Sequence, residues 1–185
     1  MFEQDLVRRA SGGDQDAFTR LAAAAVDRLY AIAYRILRDP DRAHDATQQA
    51  LLGAWRDLPT LRDHDRFEAW LYRLIVHACY SESRSQRRHI ARIRAIPNEP
   101  QIVPDTALSV ADRDELEHAF RTLTPEQRAV VVLHHYLGYP LTEIAETLGI
   151  PSGTARSRLH YATRQLRAAL EAGSRLPELP KERPA

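Results

Sequence analysis

Apolar side chains recur every three or four residues along most of this 185-residue chain, a spacing that predicts amphipathic helices. The first strong pattern predicts a helix that is capped by Asp14 and runs to about residue 37. The apolar face of this helix consists of Phe18, Leu21, Ala25 and Leu29. Because we find no convincing alternation of apolar and polar positions, the pattern predicts an all-α fold.

Local signals predict further helices. Asp39 and Pro40 are a suitable cap and first helical residue, and the helix that they begin runs to about residue 58. Residues 58–66 form a polar connection, and the next helix runs from about residue 65 to residue 89. Periodicity resumes near residue 112, and Thr124 and Gln127 of the TPEQ segment predict a capping box.

Composition changes at residue 96, where three prolines fall within eight residues: Pro97, Pro100 and Pro104. We therefore predict two small helical domains, residues 1–92 and 112–171, joined by a flexible linker over residues 93–111. The stretch from residue 95 to residue 112 would span up to about 60 Å if fully extended. The proline-containing tail, residues 172–185, is predicted to be disordered.

Residues 140–166 of the second domain (PLTEIAETLGIPSGTARSRLHYATRQL) predict a helix, a turn and a second helix. The first covers residues 141–148, Gly149 supplies a left-handed residue at its end, and Ser152 is the predicted N-cap of the second. One side of the second helix carries an apolar stripe: Ala155, Leu159, Ala162, Leu166 and Leu170. The opposite side is basic and nearly free of acids: Thr154, Arg156, Ser157, His160, Tyr161, Arg164 and Arg167.

Such a basic face suits the major groove of DNA. Arginine can bridge guanine O6 and N7 there, and hydroxyl groups reach base edges or phosphates. The alternative is a solvated charged face on an ordinary helix pair. The glycine turn, the helix spacing and the single sign of charge agree with one another, and together they favour DNA binding.

Two faces of the first domain are also distinctive. The helix after Asp39 carries a mixed stripe opposite its alanines: Asp45, Gln48, Gln49, Leu52 and Arg56. An apolar residue among polar ones is typical of a protein-docking surface, although a plain solvated face fits this pattern at least as well. The next helix carries a second line: Arg73, His77, Tyr80, Arg84 and Arg87. Arginine interleaved with Tyr and His can hold a phosphate backbone and stack on unpaired bases, and a solvated helix end is again the alternative.

Composition restricts the function classes. The formal net charge of +1 confines nucleic-acid binding to local patches. Cys79 is the only cysteine, and we expect it to be a packed side chain rather than a redox sensor. The chain has no phosphate loop, G-x-S-x-G or H-E-x-x-H motif, so we expect no enzyme and no metal or other cofactor. It has neither a membrane-length apolar run nor a signal peptide, so we expect a cytoplasmic protein without membrane insertion.

Taken together, these segments resemble the extracytoplasmic-function class (ECF, group IV) of bacterial RNA polymerase sigma factors. The resemblance covers about residues 5–170. It rests on LYAIAYRILRDPDRAHDATQQALLGAW and FEAWLYRLIVH in the first domain and on LTPEQRAVVVLHHYLGYPLTEIAETLGIPSGTARSRLHYA in the second. It implies a sigma domain 2-like helical bundle followed by a sigma domain 4-like helix-turn-helix.

The resemblance also implies a transcription initiation factor whose partners are core RNA polymerase and promoter DNA. Docking on the β′ clamp would use Asp45, Gln48, Gln49, Leu52, Trp55 and Arg56, and the second domain would dock on the β flap. The non-template strand of the −10 element would be captured by Leu61, Arg62, His64, Arg66, Arg73, His77, Tyr80, Ser81, Arg84 and Arg88. Duplex DNA of the −35 element would be read by Thr154, Arg156, Ser157, Arg158, His160, Tyr161 and Arg164. An anti-sigma factor is a further expected partner.

Two alternatives to this interpretation stay open at the sequence level. A stand-alone helix-turn-helix regulator would explain the second domain but would leave the first without a task. A sigma-like protein that only titrates partners is the other. Within the sigma interpretation, His77 and Tyr161 differ from the residues usual at their positions, so the promoter sequence is not predicted.

Overall fold

The computed structural model describes residues 2–94 and 111–173, and these ranges contain eight α-helices and no β-strand. The helices of the first range are α1 (Gln4–Ser11), α2 (Gln15–Leu37), α3 (Pro40–Asp57) and α4 (Phe67–Arg94). Those of the second are α5 (Ala111–Thr122), α6 (Pro125–Val131), α7 (Leu141–Leu148) and α8 (Ser152–Gly173). The predicted all-α fold is therefore confirmed, whereas the linker and the tail lie almost entirely outside the described residues.

Side-chain caps begin the helices where the sequence predicts them. The carboxylates of Asp14 and Asp39 each accept a hydrogen bond of 3.0 Å from the backbone N–H three residues further on. Thr124 and Gln127 form the predicted capping box at the start of α6. Gly149 ends α7 in the left-handed conformation, with φ of 63°. These boundaries follow from local chemistry, which explains why they could be read from the sequence.

Four features differ from the predictions. The short helix α1 has no counterpart among the predicted elements, and α4 continues to Arg94 rather than ending near residue 89. Helix α8 begins at Ser152 itself, so the predicted N-cap is wrong by one residue. Leu170, predicted to belong to the core stripe of α8, is 37% exposed. Ala155 and Ala162 of the same stripe are fully buried, as predicted.

The first helical module is a bundle of α2, α3 and α4 with α1 packed on α2. Helix α3 faces the core with small side chains, which lets it approach its neighbours closely: Ala43, Ala46, Ala50 and Ala54. Cys79 of α4 is fully buried, and burial raises the pKa of its thiol to about 12. The prediction that Cys79 is a packed side chain is therefore confirmed.

The second module, α5 to α8, packs directly on the first. Val130 of α6 and Ile144 of α7 are fully buried in the same apolar core as Leu29 and Ile75 of the first module. The ring of Tyr72 in α4 meets that of Tyr139 edge to face, with 5.8 Å between centroids. The sequence predicts two tethered modules, and the structure adds a shared core between them.

Candidate nucleic-acid and protein interfaces

The predicted docking stripe on α3, here called the docking face, lies on the surface. Leu52 is 69% exposed, and Trp55 is 39% exposed with its ring 4.9 Å from that of Phe18 on α2. The remaining docking residues are also exposed: Asp45, Gln48, Gln49 and Arg56. Gln49 donates a hydrogen bond of 2.6 Å to Glu82, and Arg56 pairs with Asp57 at 2.8 Å. The arrangement leaves one strongly exposed apolar side chain among exposed polar neighbours.

The predicted reading face of α8 is likewise exposed along most of its length. Its exposed members are Arg156, Ser157, His160, Tyr161 and Arg164, and Thr154 is half-buried at the start of the helix. The Ser157 hydroxyl donates a hydrogen bond of 3.0 Å to the carbonyl of Thr154. Tyr161 is 54% exposed. This face therefore offers guanidinium, imidazole and hydroxyl groups to an approaching groove.

Arg158 differs from the rest of the predicted reading set. Its side chain is half-buried and lies near Tyr80 of α4. Burial raises the pKa of Tyr80, and the positive charge of Arg158 offsets part of that increase. Because Arg158 turns toward the first module, it does not share the open surface of Arg156. The structure thus separates one predicted reader from the other six.

The connection before α4 contains the first part of the predicted −10 capture face. Two turns of 3₁₀ helix shape it, Leu58–Thr60 and His64–Arg66, and the Asp63 side chain accepts a hydrogen bond of 3.1 Å from the Asp65 N–H. Arg62 and Arg66 are exposed, while Leu61 and His64 are half-buried. Two of them, Leu61 and Arg66, line a cavity of about 200 Å³, together with Asp63, Ala69, Trp70, Arg73, Glu146 and Thr147.

Helix α4 carries the second part of the capture face. Five of its predicted members are exposed: Arg73, His77, Ser81, Arg84 and Arg88. Burial lowers the pKa of His77, and the charges of Arg73 and Arg84 lower it further. Tyr80 is half-buried, burial raises its pKa, and its hydroxyl has no hydrogen-bond partner in the described part of the chain. The two arginines flanking His77 form a cationic strip suited to a phosphate backbone.

Several arginine contacts between the two modules were not predicted. Arg38, the residue that follows α2, pairs with Glu117 of α5, and the guanidinium of Arg35 lies 3.9 Å from the ring centroid of Tyr136. Glu146 of α7 pairs with Arg66 at 2.7 Å, and this hydrogen bond raises the pKa of Arg66. No sequence signal identifies these pairs, because their members are about 80 to 100 positions apart along the chain.

Residues 2–94 and 111–173 contain neither a candidate metal site nor a candidate membrane span. No group of three or more His, Cys, Asp or Glu side chains is placed to hold a metal ion there. None of the helices in these ranges is long and apolar enough to cross a membrane.

Comparison with family models assigns both modules. Residues 21–89 match the model for Sigma-70 region 2, and residues 113–166 match the model for Sigma-70 region 4. The first match contains the docking and capture faces, and the second contains the reading face. The two regions therefore occur in the order that the sequence predicts.

Individual relatives agree with this assignment. The chain is 36% identical over 146 residues to the ECF RNA polymerase sigma factor SigL of Mycobacterium tuberculosis, covering 77% of this chain and 82% of that protein. The fold resembles that of the sigma factor RpoE in complex with the anti-sigma factor NepR from Bartonella quintana. That match has a TM-score of 0.66 and 24% identity, and it covers 83% of this chain and 96% of the other. It also resembles CnrH in complex with the cytosolic domain of CnrY, with a TM-score of 0.64, 25% identity and coverage of 91% and 97%.

Proposed function

We propose that this chain, which belongs to the ECF class of RNA polymerase sigma factors, carries out transcription initiation through three separate surfaces. The docking face binds core polymerase, the reading face selects duplex DNA of the −35 element, and the capture face holds the −10 non-template strand. The observation that supports this proposal is that most side chains of all three faces are exposed, on two modules that match the sigma family models. We place the chain in group IV of that family and, with its polymerase, in the cytoplasm.

Docking is proposed to centre on Leu52. The exposed Leu52, together with the Phe18–Trp55 pair, supplies apolar surface whose burial against the partner stabilises the complex. The surrounding polar groups orient the partner by hydrogen bonds. The partner surface is the β′ clamp, and the second module docks on the β flap. The formal net charge of the chain is only +1, so its overall electrostatic attraction to DNA is weak. Core polymerase therefore supplies the local concentration that promoter binding needs.

Reading is proposed to depend on α8 lying in the major groove. Gly149 ends α7 in the left-handed conformation, and Arg156 and Ser157 are exposed near the start of α8. In this proposal Arg156 bridges a guanine, while Ser157 and Thr154 reach base edges or phosphates. This step positions the complex on duplex DNA and does not require the strands to separate.

Capture is proposed to follow on the first module. Arg73, Arg84 and Arg88 hold the phosphates of the non-template strand, and the turn at residues 61–66 receives a base that leaves the stack. Unstacking one base costs a few kcal/mol, which pocket contacts and stacking offset. Strand opening is then driven by binding free energy alone, without hydrolysis of a nucleotide.

An anti-sigma factor is proposed as a regulatory partner. A sigma factor of this fold has been solved with the anti-sigma factor NepR, and the similar CnrH has been solved with the cytosolic domain of CnrY. The stand-alone helix-turn-helix regulator is the second candidate, but it gives no role to the docking face.

A binding experiment separates the two candidates. Purified chain and core polymerase are mixed and resolved by size-exclusion chromatography, and −35 duplex binding is measured with and without core. A sigma factor co-elutes with core and binds promoter DNA tightly only in that complex. Tight duplex binding by the free chain, with no co-elution, would establish the stand-alone regulator instead.

A further inference from the structure

A cavity of about 330 Å³, here called the junction cavity, lies where the end of α2 meets α5 and α6, apart from the docking, reading and capture faces. Its lining combines cationic, aromatic and aliphatic side chains, and includes Arg35, Arg38, Glu117, Phe120, Val132 and Tyr136. Two lining residues, His135 and Tyr136, are exposed, so the cavity opens to solvent. Small-molecule sites have volumes of roughly 300–1,000 Å³, so this cavity suits a small ligand of about mononucleotide size.

The charge of the junction cavity favours an anionic ligand. Its lining carries the two guanidinium groups of Arg35 and Arg38, and Glu117 is the only acidic side chain among the described residues that line it. Burial lowers the pKa of Arg38, and the like charges of Arg121 and Arg35 lower it further. Because these cations repel one another, an anion bound among them stabilises all three in their charged form.

Arg38 has an unused donor at this site. Its side chain is only 10% exposed, and its Nη2 pairs with Oε1 of Glu117. Its Nε–H is buried without a hydrogen-bond partner among the described residues, although it lies on the same edge of the guanidinium as Nη2. A phosphate binds that edge with two oxygens and satisfies both nitrogens, whereas the Glu117 carboxylate is paired with only one. The half-filled edge of Arg38 is therefore suited to the anionic group of a ligand.

Aromatic rings lie beside both guanidinium groups. The guanidinium carbon of Arg35 is 3.9 Å from the ring centroid of Tyr136, and that of Arg38 is 5.7 Å from the ring centroid of Phe120. Tyr136 is 46% exposed, and Val132 adds aliphatic surface to the lining. Aromatic rings and guanidinium planes are the groups on which nucleobases stack in proteins. The cavity therefore suits a ligand that carries a planar aromatic group next to its anion.

We propose that the junction cavity binds a nucleoside monophosphate, with the phosphate on the Nε and Nη2 edge of Arg38 in place of Glu117 and the base beside Phe120 and Tyr136. A single phosphate matches the one half-filled edge. The ligand touches both modules, because Arg38 directly follows α2 whereas the two rings belong to α5 and to the helical turn after α6. This inference goes beyond the proposed function and does not depend on it, since it uses no residue of the three faces.

Isothermal titration calorimetry of the full chain with adenosine monophosphate (AMP) measures the binding. AMP should bind at least about tenfold more tightly than adenosine or inorganic phosphate, because only AMP carries both the anion and the base. Adenosine tests the aromatic half of the site alone, and inorganic phosphate tests the guanidinium half alone. If AMP does not bind, or if inorganic phosphate binds as tightly as AMP, the inference is overturned.

Two substitutions test the two halves of the site separately. Arg38→Met and Tyr136→Ser should each weaken AMP binding by about tenfold. Because Tyr136 is 46% exposed, Tyr136→Ser can be measured even if Arg38→Met fails to fold. The matched control is Arg20→Met, which removes an exposed cation from α2 and should leave the affinity for AMP unchanged. An equal loss in the control would overturn the inference, because it would reflect net charge alone.

Glu117→Gln should change the affinity in the opposite direction. AMP should bind this variant about two- to fivefold more tightly than the wild type, because the carboxylate no longer competes with the phosphate for Arg38. Asp16→Asn, which removes an exposed acid from α2, is the control and should leave the affinity unchanged. A gain confined to Glu117→Gln supports the inference. No gain, or the same gain in Asp16→Asn, overturns it.

Photolabelling locates the bound nucleotide, which is needed because the arginines of the reading and capture faces also attract phosphate. The chain is irradiated with azidoadenosine monophosphate and digested, and the labelled peptides are identified by mass spectrometry. Label should appear within residues 117–136 or at the end of α2, and excess AMP should prevent it. Label confined to α4 or α8 would overturn the inference, because the nucleotide would then bind to the capture or reading face instead of the junction cavity.

Discussion

The guanidinium of Arg128, in the second module, donates a hydrogen bond of 2.7 Å from Nη1 to the backbone carbonyl of Ile36, at the end of α2 in the first. Its other nitrogens donate to carbonyls in the last turn of α5, Nε to Phe120 at 2.9 Å and Nη2 to Arg121 at 3.3 Å. One cation thus satisfies the C-terminal ends of two helices, where the helix dipole is negative. Burial lowers the pKa of Arg128 to about 10, with neighbouring arginines contributing.

Arg128→Met should lower the free energy of unfolding by about 1–3 kcal/mol, because it removes the three hydrogen bonds that the guanidinium donates to backbone carbonyls. The free energy of unfolding of Arg128→Lys should lie between those of Arg128→Met and the wild type. Lysine keeps the positive charge but lacks the planar guanidinium that donates to all three carbonyls. Urea unfolding followed by circular dichroism measures both. Arg20→Met, at an exposed position on α2, is the control and should change stability by less than about 0.5 kcal/mol. Equal effects of Arg20 and Arg128 substitutions would contradict a bridging role.

Two glycines should respond in opposite directions to the same substitution. A Cβ added to Gly53, inside α3, meets no atom within 4 Å, so Gly53→Ala should stabilise the chain by about 1 kcal/mol through helix propensity. Gly149 has φ of 63°, so Gly149→Ala should destabilise it by about 1 kcal/mol or more through backbone strain. Urea unfolding midpoints check both, and a shift of the same sign at the two sites would contradict the account.

Leu52→Ser should weaken binding to core polymerase by tenfold or more, because it removes the exposed apolar centre of the docking face. Its stability should stay near that of the wild type, since Leu52 is 69% exposed. Titration of labelled core polymerase gives the affinity. Val26→Ser, which removes a 37% exposed apolar residue from α2, is the matched control and should bind normally. If both variants lost affinity for core polymerase to the same extent, the proposal that α3 carries the docking face would be wrong.

Arg156→Ala and Arg84→Ala should separate the two DNA steps. The first should reduce discrimination between −35 sequences by about 1–3 kcal/mol, because it removes a bidentate base contact. The second should leave duplex binding by the polymerase complex intact but reduce strand opening, since Arg84 lies on the exposed capture face. Competition binding and permanganate footprinting measure the two steps. If each variant impaired both steps alike, the division between modules would be wrong.

Elements governed by neighbouring residues could be predicted from the sequence. Asp14, Asp39 and Thr124 act on N–H groups three residues away, and Gly149 needs only its own conformational freedom. The alternation of buried alanines and exposed polar groups on α3 follows from helical spacing in the same way. The predicted positions of the docking face and of most of the reading face are therefore reproduced in the fold, while their binding roles stay predictions.

Contacts between the modules could not be predicted, because no local rule connects residues so far apart. Arg66 and Glu146 are 80 positions apart, and Arg128 and Ile36 are 92 apart. The helical spacing of Val130 and Ile144 identifies them as core residues, but it does not indicate which module they pack against. For the same reason Tyr80 was expected on an open face, although the second module covers it.

The central claim is that this chain, bound to core RNA polymerase, selects promoters and opens them. Run-off transcription with purified core polymerase on a genomic DNA library tests it most directly. Adding the wild-type chain should create discrete new start sites that share upstream −35 and −10 sequences, and Leu52→Ser should abolish them. The claim would be contradicted if the wild-type chain did not bind core polymerase and produced no new start sites.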